Sequence, residues 1–90
     1  MEIDVYDTYA KSRDGSVLHF DVFVKRGADK DLAFKYAKAW LLDIGEDSEG
    51  LDQSRCRFCH FQPASTDVQK AIEKEEHYIL QMEGCPNPVR

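Results

Sequence analysis

Cys56-Arg57-Phe58-Cys59-His60 is the one stretch of this chain where several chemically capable side chains stand together at a spacing that chemistry uses. A C-x-x-C pair followed by histidine suits a metal knuckle, a dithiol redox centre, a covalent haem anchor, or a buried strand that contains cysteines. For a metal, Cys56, Cys59, His60 and Cys85 form a Cys3His set of the kind Zn2+ takes in tetrahedral geometry. Two features oppose it. Residues three apart in a regular strand point to opposite faces, so Cys56 and Cys59 share an ion only where the chain turns. His60 follows Cys59 directly and is poorly placed for the same ion, which leaves His77 or water as the fourth ligand.

A redox role needs a nucleophilic thiolate, which Arg55, Arg57 and His60 would favour. Thioredoxin-like sites, however, put the pair at a helix N-terminus, whereas Phe61, Gln62 and Pro63 intervene here before the next predicted helix. Haem is disfavoured, since its attachment takes place outside the cytoplasm and the chain shows neither an export signal nor a methionine loop prepared as an axial ligand. The residue types favour most the plain reading, with Cys56 and Phe58, or Cys59 and Phe61, as core residues of a central strand, because free cysteine is among the most buried residue types. Asp7 falls on an apolar face and could serve as a general acid or base, but a carboxylate capping backbone or a tyrosine hydroxyl is the simpler reading. His19 reads as a polar-face residue, and neither a Ser-His-Asp set nor a glycine-rich phosphate loop is identifiable.

The elements that must position these residues fit one small domain over residues 1–90. Hydrophobic residues make up 42% of 90, enough for one core. A net charge of −5 repels phosphate backbones, so nucleic acid is not an expected partner. The longest strongly apolar run, Ala39 to Leu42, falls far below the ~20 residues of a membrane helix. Met1-Glu2-Ile3-Asp4 lacks the basic and apolar regions of a secretory signal, and three cysteines, an odd number, suit a reducing compartment; a cytoplasmic location is expected.

Alternation over Met1–Tyr9 and Ser16–Val24 predicts two half-buried strands joined at Asp14-Gly15. With those two residues at the centre of the turn, Tyr9 faces Phe20, Asp7 faces Val22 and Val5 faces Val24, and the apolar sides coincide. Tyr6 and Phe23 then pair on the opposite, exposed side, where a protein partner or a second copy could dock. Asp29 is a plausible cap for a helix from about Lys30 to Ile44, ended by Gly45, whose Tyr36 and Trp40 pack on the hairpin. Glu46 to Ser54 reads as a loop, Arg55–Phe61 as a strand, the residues after Ser65 or Thr66 as a short helix, and His77–Met82 as a strand; residues 84–90 form a proline-containing tail. The fold class is α+β, in the order β-β-α-β-α-β, with an N-terminal hairpin, a parallel β-α-β unit and helices packed on the sheet. The parallel crossover would bring Cys59 and His60 near Cys85.

Asp4-Val5-Tyr6-Asp7-Thr8-Tyr9, His19-Phe20-Asp21-Val22-Phe23-Val24, Tyr36-Ala37-Lys38-Ala39-Trp40-Leu41, Cys56-Arg57-Phe58-Cys59-His60 and Glu83-Gly84-Cys85 together resemble a small bacterial family of domains of unknown function, number twenty twenty-four in that series. The resemblance spans nearly the whole chain and implies a compact α+β fold without an assigned activity. Asp7, Cys56, Cys59, His60 and Cys85 lie within its marking motifs. The expected function is a small non-enzymatic cytoplasmic module whose cysteines are structural or hold a metal such as zinc. The alternative is a thiol redox enzyme or sensor using Cys56 and Cys59.

Overall fold

The computed structural model describes residues 1–88; Val89 and Arg90, the end of the expected tail, lie outside the described residues. Two strands, β1 (Glu2–Lys11) and β2 (Val17–Lys25), are followed by the helix α1 (Lys30–Asp43), the strand β3 (Cys56–Pro63), the helix α2 (Thr66–Glu75) and the strand β4 (His77–Gln81). The chain therefore forms a single small α+β domain in the order β-β-α-β-α-β. Asp29 caps α1 by accepting the Asp31 N–H, and Ser65 caps α2 by accepting the Val68 N–H, as helix starts require. Between α1 and β3 the expected loop contains two short 3-10 turns, Ser48–Gly50 and Gln53–Arg55, each opened by an aspartate cap, Asp47 and Asp52. A Cβ at Gly50 would collide with the Lys11 carbonyl oxygen, so glycine lets this segment lie against the end of β1.

The four strands form one sheet in the order β3-β1-β2-β4, and every pairing is antiparallel. This corrects the expected parallel β-α-β unit. The connection from β3 through α2 has the length of a crossover, but it carries the chain from one edge of the sheet to the other instead of to a parallel neighbour. Pairing with the two central strands leaves β3 and β4 running in opposite directions. The carboxyl end of β3 and the tail after β4 are consequently not side by side.

The hairpin register also differs from the expected one, by one residue: Val5 pairs with Phe23, Asp7 with Asp21, Tyr9 with His19 and Lys11 with Val17. The turn is the cause. Only Gly15, at φ +89°, takes the left-handed conformation there, and Asp14 does not, so the two-residue turn is replaced by a three-residue loop. Ser12 N–H donates to Ser16 O at 2.8 Å and Gly15 N–H to Ser12 O at 3.0 Å. The Asp14 carboxylate accepts the Ser16 N–H and hydroxyl at 2.9 and 2.7 Å, as well as the Ser12 hydroxyl. These bonds hold it well below the usual carboxylate range, at about 2.

A shift of one residue exchanges the faces of a strand. Leu18, Phe20, Val22 and Val24 share a face with Tyr6 and Ala10 and pack under Ala33, Ala37 and Leu41 of α1. Ile3, Val5 and Phe23 lie on the other face, under Val68 and Ile72 of α2. The central strands are thus apolar on both faces and carry a helix on each. Tyr6 and Phe23 are not an exposed pair. Each is 5% exposed, and they belong to opposite layers, Tyr6 beneath α1 and Phe23 beneath α2. The exposed aromatics are instead Tyr9 and, on β3, Phe58 and Phe61. Trp40 meets Phe20 at 4.6 Å between ring centroids, as expected for a core helix.

The two helices cover their faces unequally. With a rise of 1.5 Å per residue, the 14 residues of α1 span about 21 Å and the 10 of α2 about 15 Å. Alpha2 covers the end of the sheet holding Ile3, Val5, Phe23, Tyr78 and Leu80. The continuation of that face toward the hairpin turn carries Asp7, Tyr9, His19 and Asp21.

Candidate functional site

The side chains on that uncovered half-face come from adjoining strands. Beta1 supplies Asp7 and Tyr9, β2 supplies Asp21 and His19 directly opposite, and the observed register alone makes these pairs. His19 Nε2 and Asp7 Oδ1 are 2.6 Å apart, with the two side chains 20% and 36% exposed. Tyr9 stacks on the imidazole, ring centroids 4.2 Å apart and planes 7° from parallel, which fixes the ring's orientation. One ligating atom from each of Asp7, His19 and Asp21 lies within 4.8 Å of the other two. Burial, then the charge of Asp7 and hydrogen bonding with it, raises the Asp21 carboxyl to about 6, although His19 and His60 pull the other way. The negative charge of Asp7 beside it in a half-buried place disfavours the ionised form of Asp21.

Beta3 completes the surroundings through an irregularity. Its pairing with β1 shifts between Val5 and Tyr6, so that Val5 faces His60 and Tyr6 faces Phe58, with Cys59 as the extra residue of a bulge. The bulge sends Arg57, opposite Asp7, and His60, opposite Val5, to the same side of the sheet. It sends Cys56, opposite Thr8, toward α1.

The cysteines are therefore held in three different settings. Cys56 is fully buried with its Sγ 3.6 Å from the Thr8 hydroxyl, and burial pushes its thiol up from the ordinary value. Cys85, 8% exposed, donates to the His19 carbonyl at 3.2 Å, and burial raises its thiol too. Cys59 is exposed, its Sγ 3.2 Å from His60 Nδ1, while His60 Nε2 meets Gln62 Oε1 at 2.7 Å. Cys56, Cys59, His60 and Cys85 do not converge, because β3 is one edge strand and Cys85 hangs from β2 at the far side of β1. His77, the other ligand considered, lies on β4, stacked on Tyr36 with centroids 4.2 Å apart. Asp7 is brought into a cluster; the partners it meets, His19 and Asp21, are the residues that sequence reasoning passed over. The signal was the i, i+2 spacing of His19 and Asp21, which puts both on one face of β2. It becomes legible only when the three-residue turn sets them opposite Tyr9 and Asp7.

Beside the cluster is an open groove of about 410 Å³ lined by Asp7, Tyr9, Ser54, Arg55 and Arg57. Arg55 closes the second 3-10 turn and Arg57 stands on β3, so the groove lies between the sheet face and the α1–β3 connection. Among the described residues no helix is long and apolar enough to cross a membrane.

An antiparallel four-stranded sheet with one helix on each face, a bulged edge strand and a polar half-face define a small α+β module. The chain belongs to the family described as Domain of unknown function (DUF2024), whose model matches residues 1–82. Among solved structures it is similar to protein NE1680 from Nitrosomonas europaea, determined by NMR. The two share 46% identity and a TM-score of 0.83, over 94% of this chain and 99% of that one. No curated protein shows significant similarity to the chain.

Proposed function

We propose that the protein is a small non-enzymatic cytoplasmic module that binds a divalent cation through Asp7, His19 and Asp21, with Cys56 and Cys85 as structural thiols. The observation that carries this reading is the convergence of one nitrogen and two carboxylates, from facing positions of two paired strands, within 4.8 Å of one another. Zn–N and Zn–O bonds of ~2.0–2.1 Å in a tetrahedron put neighbouring ligand atoms ~3.3 Å apart. The His19–Asp7 separation of 2.6 Å must then open by roughly 0.7 Å, within the reach of side-chain torsions. Rigid strands supply the ligands and Tyr9 steadies the imidazole, the support a metal site needs. Three protein ligands leave a fourth position, toward the groove, for water or an exogenous group.

Burial and internal hydrogen bonds at Cys56 and Cys85 support the structural reading of those thiols, and three free cysteines suit a reducing compartment. Calorimetric titration with Zn2+ and Mn2+ tests the cation site. Saturable binding to one site, lost in Asp7→Asn and in His19→Gln, supports it; binding unaffected by either substitution removes it.

One observation favours a second reading, thiol redox chemistry, but through Cys59 rather than the C-x-x-C pair. The Cys59 thiol is exposed and in contact with His60, whereas Cys56 faces the core. That reading requires Cys59 to alkylate at neutral pH far faster than a free thiol. An ordinary rate leaves the cation reading alone.

A further inference from the structure

We infer that the groove beside the cluster is a binding site for a small phosphate monoester carrying a planar ring. Its phosphate sits on Arg55 and Arg57 and its ring on Tyr9. The inference goes beyond the cation reading and does not require it.

Three observations carry it. First, Arg55 and Arg57 line one groove of about 410 Å³, within the range of small-molecule sites, in a chain whose net charge is −5. Second, neither guanidinium is held in a close ion pair. Among the described residues neither has a carboxylate within 4.0 Å, and neither donates a side-chain hydrogen bond. Arg57 stands opposite Asp7 in the β1–β3 register, yet Asp7 is turned to His19 at 2.6 Å instead. Asp52, whose carboxyl feels the charge of Arg55 only as the last of its influences, has its Oδ1 committed to the Ser54 N–H and hydroxyl at 2.8 and 2.7 Å. Two planar forks outside any close ion pair are the groups that recognise phosphate oxygens in bidentate fashion.

Third, Tyr9 lines the groove. One face of its ring is covered by His19, the residue is 37% exposed, and it lines both this groove and the adjoining recess of about 350 Å³ that continues toward Lys11 and Val17. A ring fixed on one side by its cross-strand neighbour offers its other face to a second flat group at little entropic cost, and base-on-aromatic stacking is sequence-tolerant and favourable. A phosphate at the guanidiniums and a ring on Tyr9 match the two ends of a mononucleotide or of another aromatic phosphate monoester. The bare phosphate, the nucleoside and the nucleotide separate these contributions.

The test is a titration of the isotope-labelled protein, with chelator present throughout, by inorganic phosphate, by adenosine and by adenosine monophosphate, followed by amide chemical shifts. Chelator removes any contribution of a bound cation, so failure here is distinct from failure of the metal site. The expected result is saturable shifts at Tyr9, Ser54, Arg55 and Arg57 with the monophosphate, at least about fivefold tighter than with phosphate alone. Arg57→Gln, which keeps the β3 backbone pairing, should weaken both phosphate and nucleotide at least about tenfold. Tyr9→Leu should weaken the nucleotide while leaving phosphate within about twofold. Unsaturable shifts scattered over the surface, or affinity unchanged in Arg57→Gln, overturn the site. Equal affinity for phosphate and nucleotide overturns the ring-bearing class of ligand.

Discussion

Replacing Asp21 by asparagine should stabilise the cation-free protein at neutral pH while abolishing the proposed metal site. In the folded chain the carboxyl is raised from 3.8 to about 6 by burial and by Asp7. The folded state therefore holds this proton more tightly than the unfolded state does. Stability from this group is complete below pH 3.8, declines as pH rises, and is fully lost above about pH 6. A shift of about two units corresponds to ~3 kcal/mol at most, at 1.36 kcal/mol per unit. Asp21 is half-buried rather than enclosed, and solvent screening reduces this to roughly 1–2 kcal/mol. Asparagine keeps the shape, keeps a donor for the Asp7 carboxylate and removes the charge. The variant's melting temperature at pH 8 should rise by roughly 5–15 °C for a domain of this size, measured by circular dichroism with chelator present. The gain should shrink between pH 6 and pH 4 and vanish near pH 3.5, where the wild-type carboxyl is protonated in both states. A gain independent of pH, or a loss of stability at pH 8, would show that Asp21 is not held near Asp7 in the way described.

Timed alkylation followed by peptide mass spectrometry should label Cys59 first, with Cys56 and Cys85 at least about tenfold slower because they react only after local opening; equal rates would contradict their placement in the core. Gly84→Ala should destabilise by about 2 kcal/mol or more, since Gly84 has φ +81° and a Cβ there would collide with the Val17 carbonyl oxygen. A variant that melts like wild type would put the tail elsewhere. Phe20→Ala, at the centre of the α1 layer, should cost about 3–5 kcal/mol by urea denaturation. A cost under about 1 kcal/mol would refute the register that turns Phe20 toward α1.

Local chemistry was legible in the sequence where one segment decides the outcome. Asp29 and Gly45 bracket α1, Ser65 starts α2, and the order of strands and helices follows from hydrophobic period. What was not legible depends on choices between segments. Asp14-Gly15 permits two hairpin turns that differ by one residue. The three-residue turn is the one formed, because the Asp14 carboxylate is used to hold Ser12 and Ser16 and only Gly15 takes positive φ. That one-residue difference buried Tyr6 and Phe23 on opposite faces and assembled Asp7, His19 and Asp21. Likewise, a 10-residue helix between β3 and β4 fits a parallel neighbour or a passage to the opposite edge equally well. Apolar residues on both faces of the central strands favour the second, because α2 must cover the face that α1 leaves open. The C-x-x-C-H stretch drew attention by its spelling, but a bulge at Cys59 divides it between core, rim and groove.

The most direct test of the cation site is zinc binding at pH 7.5, measured by calorimetry on the wild type and on Cys59→Ser, Asp7→Asn and His19→Gln variants. The account predicts one saturable site in the wild type and in Cys59→Ser, and its loss in Asp7→Asn and His19→Gln. Binding retained in both of those variants and lost in Cys59→Ser would place the ion on β3 and contradict the assignment to Asp7, His19 and Asp21.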